Sequence, residues 1–547
     1  MLKNHPKGLM VLFFTEMWER FGYYLMLGIF YLYMTDSTDG GGMGLPLEKA
    51  ADIVGTYLAL VYLTPFIGGL LADRVLGYRL SIFIGGGLMA AGYIGLALPG
   101  WTAFWVSLFL IIVGNGFFKP NISTLVGNLY STEEYKSLKD SGYNIFYMGI
   151  NIGAFVCNFV AAYLRNNYGW GYAFAAAGIG MIIGLIWFAT GQRSVRDVDV
   201  LKPKKAEDMP LAKIFGTVLL PAVLFGIIGW MLPGNIFSSD STDAFIFGSL
   251  PVVVFYFSLW LRASKEDKSP IAALLAIFGV VIIFWAIFHQ NGSALTIWAE
   301  DYTDRGLAQW VEPVAEKLGM VQEVDTSPRE VILLDGHGAP ILDAAGNPKT
   351  EMGPDPYFKN VPQDQWPPQG KSLKLLSTEI FQSVNPFFVV FLTPIVVAFF
   401  AMLRKSRKEP STPGKIGWGL FITALSTLVM VAAVFASQNG LQKSSPAWLI
   451  GAYGVITIGE LFLSPMGLSL VSKLSPPRLT SLMMGGWFLA TSLGNKLSGV
   501  LASLWNMYSH KSVFFLINFT GAMFAALAIF VMLKWLRRVV QEHTGES

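Results

Sequence analysis

Runs of twenty or more mostly apolar residues recur about every thirty positions along this chain, broken by polar turns. They fall at 9–34, 50–72, 80–99, 102–129, 141–164, 170–191, 211–232, 243–262, 270–300, 378–403, 414–437, 446–473, 478–506 and 511–536. At about 1.5 Å of rise per residue, each reaches across a hydrocarbon core about 30 Å thick. The pattern predicts an all-α polytopic membrane protein with fourteen spanning helices.

The polar positions between the runs orient them. Basic residues gather in alternate loops: Lys3 and Lys7; Arg74 and Arg79; Arg193, Arg196, Lys202, Lys204 and Lys205; Arg262, Lys265 and Lys268. Arg404, Lys405, Arg407 and Lys408, then Lys473, then Lys534, Arg537 and Arg538 continue the series. Cytoplasmic loops carry such an excess. Fourteen spans close the alternation without a break and place both termini in the cytoplasm.

Composition removes the competing classes. Of 547 residues, 53% are hydrophobic and 14% charged, with a mean hydropathy of +0.51. A soluble chain carries roughly 25% charged residues, so a soluble globular protein is excluded. The net charge of +3 gives no reason to expect a nucleic-acid partner. The single cysteine, Cys157, rules out an internal disulfide. The first run has no small-residue cleavage site and is read as a retained helix rather than a signal peptide. "GGGMG" at 40–44 is an exposed turn without the context of a phosphate loop. Residues 301–374 stand apart as an outer insertion, with 13 Asp and Glu against 7 Lys and Arg over 300–374. A mobile surface loop and a small folded lid both fit its composition.

Candidate chemistry lies where hydrocarbon should be. Glu16, Glu19, Arg20, Tyr23 and Leu27 share one helical face of the first run. One charge at mid-bilayer costs about 2.5–3.5 kcal/mol even on the mildest scale, so this face should look into a wet, protein-lined space. An internal Glu16–Arg20 pair that only locks helices is the plainer alternative. Lys119 in "GNGFFKPNIS", His289 in "FWAIFHQ" and Glu460 in "GELFLSP" add ionisable groups on other runs. Helix-to-helix hydrogen bonding is the bland reading for Glu460 and His289. Tyr23, Tyr24, Tyr62, Tyr147, Trp285 and Trp487 sit inside spans and can wall an adaptable pocket. Pro65, Pro120, Pro386, Pro394 and Pro465 permit bends. No nucleophile–base set, metal-ligand spacing or nucleotide loop is present, which points away from an enzyme and from a metal or cofactor.

These residues carry a resemblance. "GGLLADRVLGYR" (68–79), with Gly69, Asp73, Arg74 and Gly77, resembles the loop between the second and third helices of the major facilitator superfamily. "EMWERFGYY" (16–24) is similar to the ExxERFxYY signature of proton-dependent oligopeptide transporters. "GNGFFKPNIS" (114–123), "DSGYNIFYMGINIGAF" (140–155), "QSVNPFF" (382–388), "GELFLSPMGLS" (459–469) and "MMGGWFLATSLGN" (483–495) match further signatures. The resemblance covers nearly the whole chain.

It implies two six-helix bundles, 1–200 and 269–547, flanking a linker and inserted helical hairpin at 201–268. It implies proton symport of di- and tripeptides by alternating access, driven by the proton gradient without a cofactor. The protein would work as a monomer in a bacterial inner membrane. Glu16, Glu19, Arg20 and Lys119 would couple protons, with Lys119 as partner of Glu16 and contact for the peptide carboxylate. Glu460 would receive the peptide ammonium group. Arg20, Tyr24, Tyr62, Tyr147, Asn151, Trp285, His289, Asn385, Ser464 and Trp487 would complete the pocket. The chain departs from the pattern at Leu27, where relatives often carry arginine, and at His289, where they often carry an acid. A carrier of nitrate or an organic acid on the same fold is the alternative.

Overall fold

The computed structural model describes residues 5–132, 134–135, 138–201, 210–237, 239–333, 341, 349–476 and 479–544. Lys3, Lys202, Lys204 and Lys205 lie outside the described residues. Among the described residues the apolar runs become fourteen long helices. The first eight are α1 (Gly8–Thr35), α2 (Leu47–Leu71), α3 (Tyr78–Leu96), α4 (Trp101–Leu129), α5 (Lys139–Tyr168), α6 (Trp170–Gly191), α7 (Leu211–Met231) and α8 (Asp240–Leu261). The others are α9 (Lys265–Phe288), α10 (Val384–Lys405), α11 (Thr412–Ala436), α12 (Pro446–Leu474), α13 (Thr480–Ser503) and α14 (Lys511–Thr544). All except α1 and α13, which carry more polar residues, are apolar enough by length and composition to cross a membrane. Side-chain caps fix several starts. Ser239, Ser264, Ser411 and Ser445 accept backbone N–H bonds from the first turns of α8, α9, α11 and α12.

The even number of helices brings both chain ends to one side and the 301–374 insertion to the other; these are the terminal side and the insertion side below. In the N-terminal half α1 packs on α5 and α6, while α3 packs on α4 and α6. In the C-terminal half α11 packs on α12 and α14, and α9 on α13 and α14. Two seams join the halves, α2 with α13 and α5 with α10. The hairpin α7–α8 packs on itself and touches α2 and α13 lightly.

Proline explains the tightest crossing. Pro120 has no N–H to offer the Gly116 carbonyl four residues back. Gly68 of α2 sits against that carbonyl so closely that a Cβ there would come within 2.0 Å of its oxygen. The sequence motif drew attention to Gly69, but Gly68 and Gly116 make the contact.

The run at 270–300 is not one helix. After Phe288 the chain tightens into a 3-10 turn (His289–Gly292), a short helix (Ala294–Ile297) and a π turn (Trp298–Tyr302). The freed Asn291 carbonyl accepts Thr296 Oγ1 at 2.7 Å and Gln382 Nε2 at 2.6 Å. Side chains so replace the backbone bonds that a break at membrane depth leaves open. Pro386, expected as a mid-span breaker, instead lies in the first turn of α10. The chain is already 3-10 over Thr378–Ser383, and a first turn needs no proline N–H.

The insertion is folded. β1 (Val321–Val324) pairs with β4 (Leu373–Leu376), and β2 (Arg329–Ile332) pairs with β3 (Thr350–Gly353), both antiparallel. Val324, Tyr357, Phe358 and Leu375 form its core. Asn166 at the end of α5 donates to Val321 O at 2.8 Å and to Ser377 Oγ at 2.7 Å. From the other half, Lys443 Nζ donates to Asp301 O at 2.8 Å. The insertion is therefore fastened to both bundles, as a lid and not as a loose loop.

Candidate functional site

The polar face of α1 is buried, with Glu19 fully enclosed and Glu16 and Arg20 nearly so. Arg20 Nε lies 3.1 Å from Glu16 Oε1, one turn away. Its Nη2 donates to Glu19 Oε1 at 2.8 Å, and Nε also contacts Glu19 Oε2. One guanidinium fork thus serves two carboxylates, a geometry that an ammonium cannot reproduce. Glu16 Oε2 is left without a hydrogen bond.

Lys119 departs from expectation. The implied Glu16–Lys119 pair is not among the ion pairs of the described residues: Arg20 takes Glu16 Oε1, and Lys119 lies on Tyr62 instead. The Lys119 ammonium sits 3.9 Å from the centroid of the Tyr62 ring, a cation–π contact. Its charge still reaches Glu16, Glu19 and His289. His289 meets Tyr62 edge-on at 6.0 Å and lies over Trp285 at 5.1 Å. Its Nδ1 is 3.3 Å from Trp285 O. The Trp285 indole N–H is buried and unpaired.

Glu460 sits on α12, in the other half. Asn385 Nδ2 donates to Glu460 Oε2 at 3.1 Å and to Thr457 Oγ1 at 2.9 Å. Among the described residues no cation lies within ion-pair distance of Glu460. Ser464, one turn on, has a buried hydroxyl without a partner. Tyr24 and Tyr147 lie within electrostatic reach of Glu460 and of Tyr62. They bridge the space from the Lys119–Tyr62 contact to the carboxylate. Tyr147 is 44% exposed and within electrostatic reach of Glu460 and Tyr62, which sets it at the edge of the space between the halves.

Most of the expected residues therefore converge. Asn151 is turned back onto Tyr147 O at 2.9 Å. Trp487 is buried beneath Gly467, where an added Cβ would come within 1.9 Å of the ring, and does not face the chamber in this conformation. Gly69, in the last turn of α2, and Asp73, Arg74 and Gly77, in the α2–α3 turn, lie outside the chamber. There Tyr78 Oη donates to Asp73 Oδ1 at 2.8 Å and Gly77 adopts φ +79°. Asp199 caps α3 through Tyr78 N at 2.7 Å and pairs with Arg79 Nε at 2.9 Å.

The seams reveal which way the chamber opens. Midway along α2 and α13 Ser492 Oγ donates to Ala59 O at 2.6 Å, and toward the insertion side Lys496 Nζ bonds Asp52 Oδ1 at 2.6 Å. Asn158 Nδ2 donates to Ser383 Oγ at 3.0 Å, and Arg165 pairs with the fully buried Glu379 at 3.2 Å. Toward the terminal side α5 and α10 have no comparable bonds among the described residues, and Tyr143, Tyr147, Phe387 and Phe391 are exposed. The α5–α10 seam is therefore cross-bonded on the insertion side and open on the terminal side, while α2 and α13 stay in contact past mid-helix, where Phe66 lies against Gly485. Asp52, Lys496, Arg165 and Glu379 were not singled out from sequence, although Asp52 and Lys496 are charges inside apolar runs and could have been flagged by the rule that flagged Lys119.

A family model described as "PTR2: POT family" matches residues 79–310 and 371–528. The chain is 32% identical to the "Uncharacterized transporter YclF" of Bacillus subtilis (strain 168), over 92% of this chain and 89% of that one. It is 31% identical to the "Di-/tripeptide transporter" of Lactococcus lactis subsp. lactis (strain IL1403), over 96% and 95%. Its structure resembles a POT family transporter solved in complex with a thioalcohol conjugated peptide, with a TM-score of 0.76, 25% identity, and coverage of 97% of each chain.

Proposed function

The chain belongs to the POT family of transporters, and from that premise we propose that it imports di- and tripeptides together with protons by alternating access. The observation that carries this reading is the charge layout of the chamber. Among the described residues Glu460 is a half-buried carboxylate with no cation at ion-pair distance, and Lys119, from the other half, rests on the ring of Tyr62. A zwitterionic peptide supplies both missing partners. Its ammonium group takes Glu460, and its carboxylate draws Lys119 from Tyr62. Tyr24, Tyr62 and Tyr147 offer flat, adaptable walls for side chains of varied shape. Nitrate or an organic acid lacking an ammonium group leaves Glu460 unpaired and charged, which disfavours those cargoes.

Protons enter through the α1 acids. Arg20 is held by both Glu16 and Glu19. Protonating one of them weakens that hold and changes the charge that Lys119 senses. Each inward proton contributes about 2.3 kcal/mol per 100 mV of potential, enough to drive a net-neutral zwitterion uphill. With the termini cytoplasmic, the chamber is open inward, poised for release. The protein works in this reading as a monomer in a bacterial inner membrane.

Uptake of a labelled dipeptide into proteoliposomes tests the assignment. Glu19→Gln should lose accumulation driven by a pH gradient while keeping peptide counterflow. Glu460→Gln should weaken dipeptide binding about 10- to 100-fold, the worth of a hydrogen bond to a charged group. Full accumulation by Glu19→Gln, or competition by nitrate as strong as by dipeptide, would overturn it.

A further inference from the structure

The insertion carries a short helix, Glu312–Lys317, whose two faces differ. Ala315 is buried against the module, and Glu312 and Glu316 both pair with Lys374 on β4. Away from them, Val314 within the helix, Trp310 in the turn before it and Leu318 at its C-cap are all exposed, Trp310 at 83%. A contiguous exposed apolar face on a folded module marks an interaction surface.

Its position identifies the partner. Just past the helix, Gly319 is pressed on Tyr163 of α5, where a Cβ would lie 2.1 Å from the ring. Tyr163 precedes the last residue of α5, Tyr168, by five positions, which places it about 7 Å below the helix end. It continues the exposed stripe Ile152, Val156, Tyr163 along α5, at i, i+4 and i+11. Tyr163, Tyr168 and Tyr172 form a ladder of ring contacts at 6.2 and 5.5 Å. Such aromatic ladders at helix ends sit at the headgroup level.

We propose that Glu312–Lys317 is an interfacial helix, with Trp310, Val314 and Leu318 inserted among lipid headgroups and upper acyl chains. The insertion then hangs from the bilayer as well as from the two bundles. The occupant is lipid because the chain just past these residues rests through Gly319 on Tyr163 of the exposed α5 stripe, at the height where the ring ladder marks the membrane surface. Only a few ångströms of penetration are needed.

Spin labels on the full-length protein in liposomes test this. Cys157 is fully buried, so the native chain serves as the labelling background. Val314→Cys and Leu318→Cys are labelled, with the exposed Lys371→Cys as the aqueous control, and power saturation is measured with oxygen and with a water-soluble nickel chelate. The expected result is stronger relaxation by oxygen than by nickel at 314 and 318, and the reverse at 371, with peptide uptake and melting unchanged in all three variants. Nickel accessibility at 314 and 318 equal to that at 371 would overturn the proposal. So would labels shielded from both reagents and broadened by each other, which would mean that a second copy covers the face.

Discussion

Lys496 ties α13 to α2 and to the hairpin helix α8 through all three of its ammonium donors. They go to Asp52 Oδ1 at 2.6 Å, Thr56 Oγ1 at 2.7 Å and Ser241 Oγ at 3.1 Å. Ser241 and Thr242 at the start of the hairpin helix α8 also donate to Asp52, at 2.5 and 3.1 Å. Opening the insertion side must part this cluster, so weakening it should favour the outward-open state. Asp52→Asn keeps the shape and removes the charge. Losing one partner of a buried pair costs about 3–5 kcal/mol. The Asp52 side chain is 19% exposed, which lowers the figure to about 2 kcal/mol, and water restores the lost bonds once the seam opens. The opening equilibrium should then move about 30-fold. Ser241→Ala removes the hydroxyl's bonds to the Lys496 ammonium and the Asp52 carboxylate but leaves the ion pair. At about 1.5 kcal/mol for bonds to charged groups, it should move the equilibrium about tenfold. Labels at Lys49 on α2 and Met507 beyond α13 report the insertion-side distance by electron–electron double resonance in liposomes. The long-distance population should rise in the order native, Ser241→Ala, Asp52→Asn. Asp52→Asn with Lys496→Met removes both charges and should restore much of the short distance. An unchanged distance in Asp52→Asn, or an equal shift in the double variant, would refute the reasoning.

Gly68→Ala should force α2 and α4 apart at Gly116 and lower the melting temperature of purified protein, because overpacking costs about 1–3 kcal/mol. Gly87→Ala, which has open space around it, should leave melting unchanged. Tyr62→Leu removes the ring that holds Lys119 in the empty carrier; a desolvated cation–π contact is worth about 1–2 kcal/mol, and because the peptide carboxylate must displace it, dipeptide KM should fall about tenfold with little change in melting. Lys443, in the turn between α11 and α12, has its pKa pushed down to about 8 by burial, against the attraction of Asp301. A lysine neutralised more easily when folded gives stability that rises with pH from about 8 to the unfolded value near 10.4. The melting temperature of the native protein relative to Lys443→Met should therefore climb over that window and stay flat below it.

The fold was legible because its main determinant, the long apolar run, is written locally. All fourteen runs became helices, most with ends close to expectation, while the ninth stops at Phe288 instead of running to 300. The break after Phe288 was hidden because hydropathy does not register backbone bonds, and what makes the break tolerable is Gln382, ninety residues away. The insertion could be read only by composition, which cannot distinguish a loose loop from small sheets closed over Tyr357 and Phe358. The ionisable residues of the chamber stood out since charge is rare at membrane depth. Which of them pair could not be read, because Arg20 and Lys119 compete for Glu16 in space and not along the chain. Glycine roles misplaced by one position, as at Gly68, show the same limit: a motif marks the crossing, while the rotation of two helices selects the residue.

Glu379 bears on the same equilibrium from the opposite direction. It is fully buried at the entrance to α10, and its tie across the seam is the 3.2 Å contact with Arg165 of α5. Neither oxygen accepts a hydrogen bond from another residue among the described residues, in contrast with Asp52, which accepts three. A carboxylate taken from water with so few compensating bonds loses more by desolvation than one ion pair returns. Arg165 is less dependent on the pair, since Asn166 Oδ1 and Gln322 Oε1 also accept from it at 3.2 Å. Glu379 thus strains the closed seam that it spans, and hydration on opening relieves it. Glu379→Gln should therefore shorten the Lys49–Met507 distance distribution while Asp52→Asn lengthens it. Two acids on the same closed face would push the carrier in opposite directions, one bonded well enough to hold the gate shut and one bonded too poorly to do so. A longer distance in Glu379→Gln would show instead that the ion pair outweighs its desolvation, and the hydrogen-bond count would no longer predict which charges hold this gate.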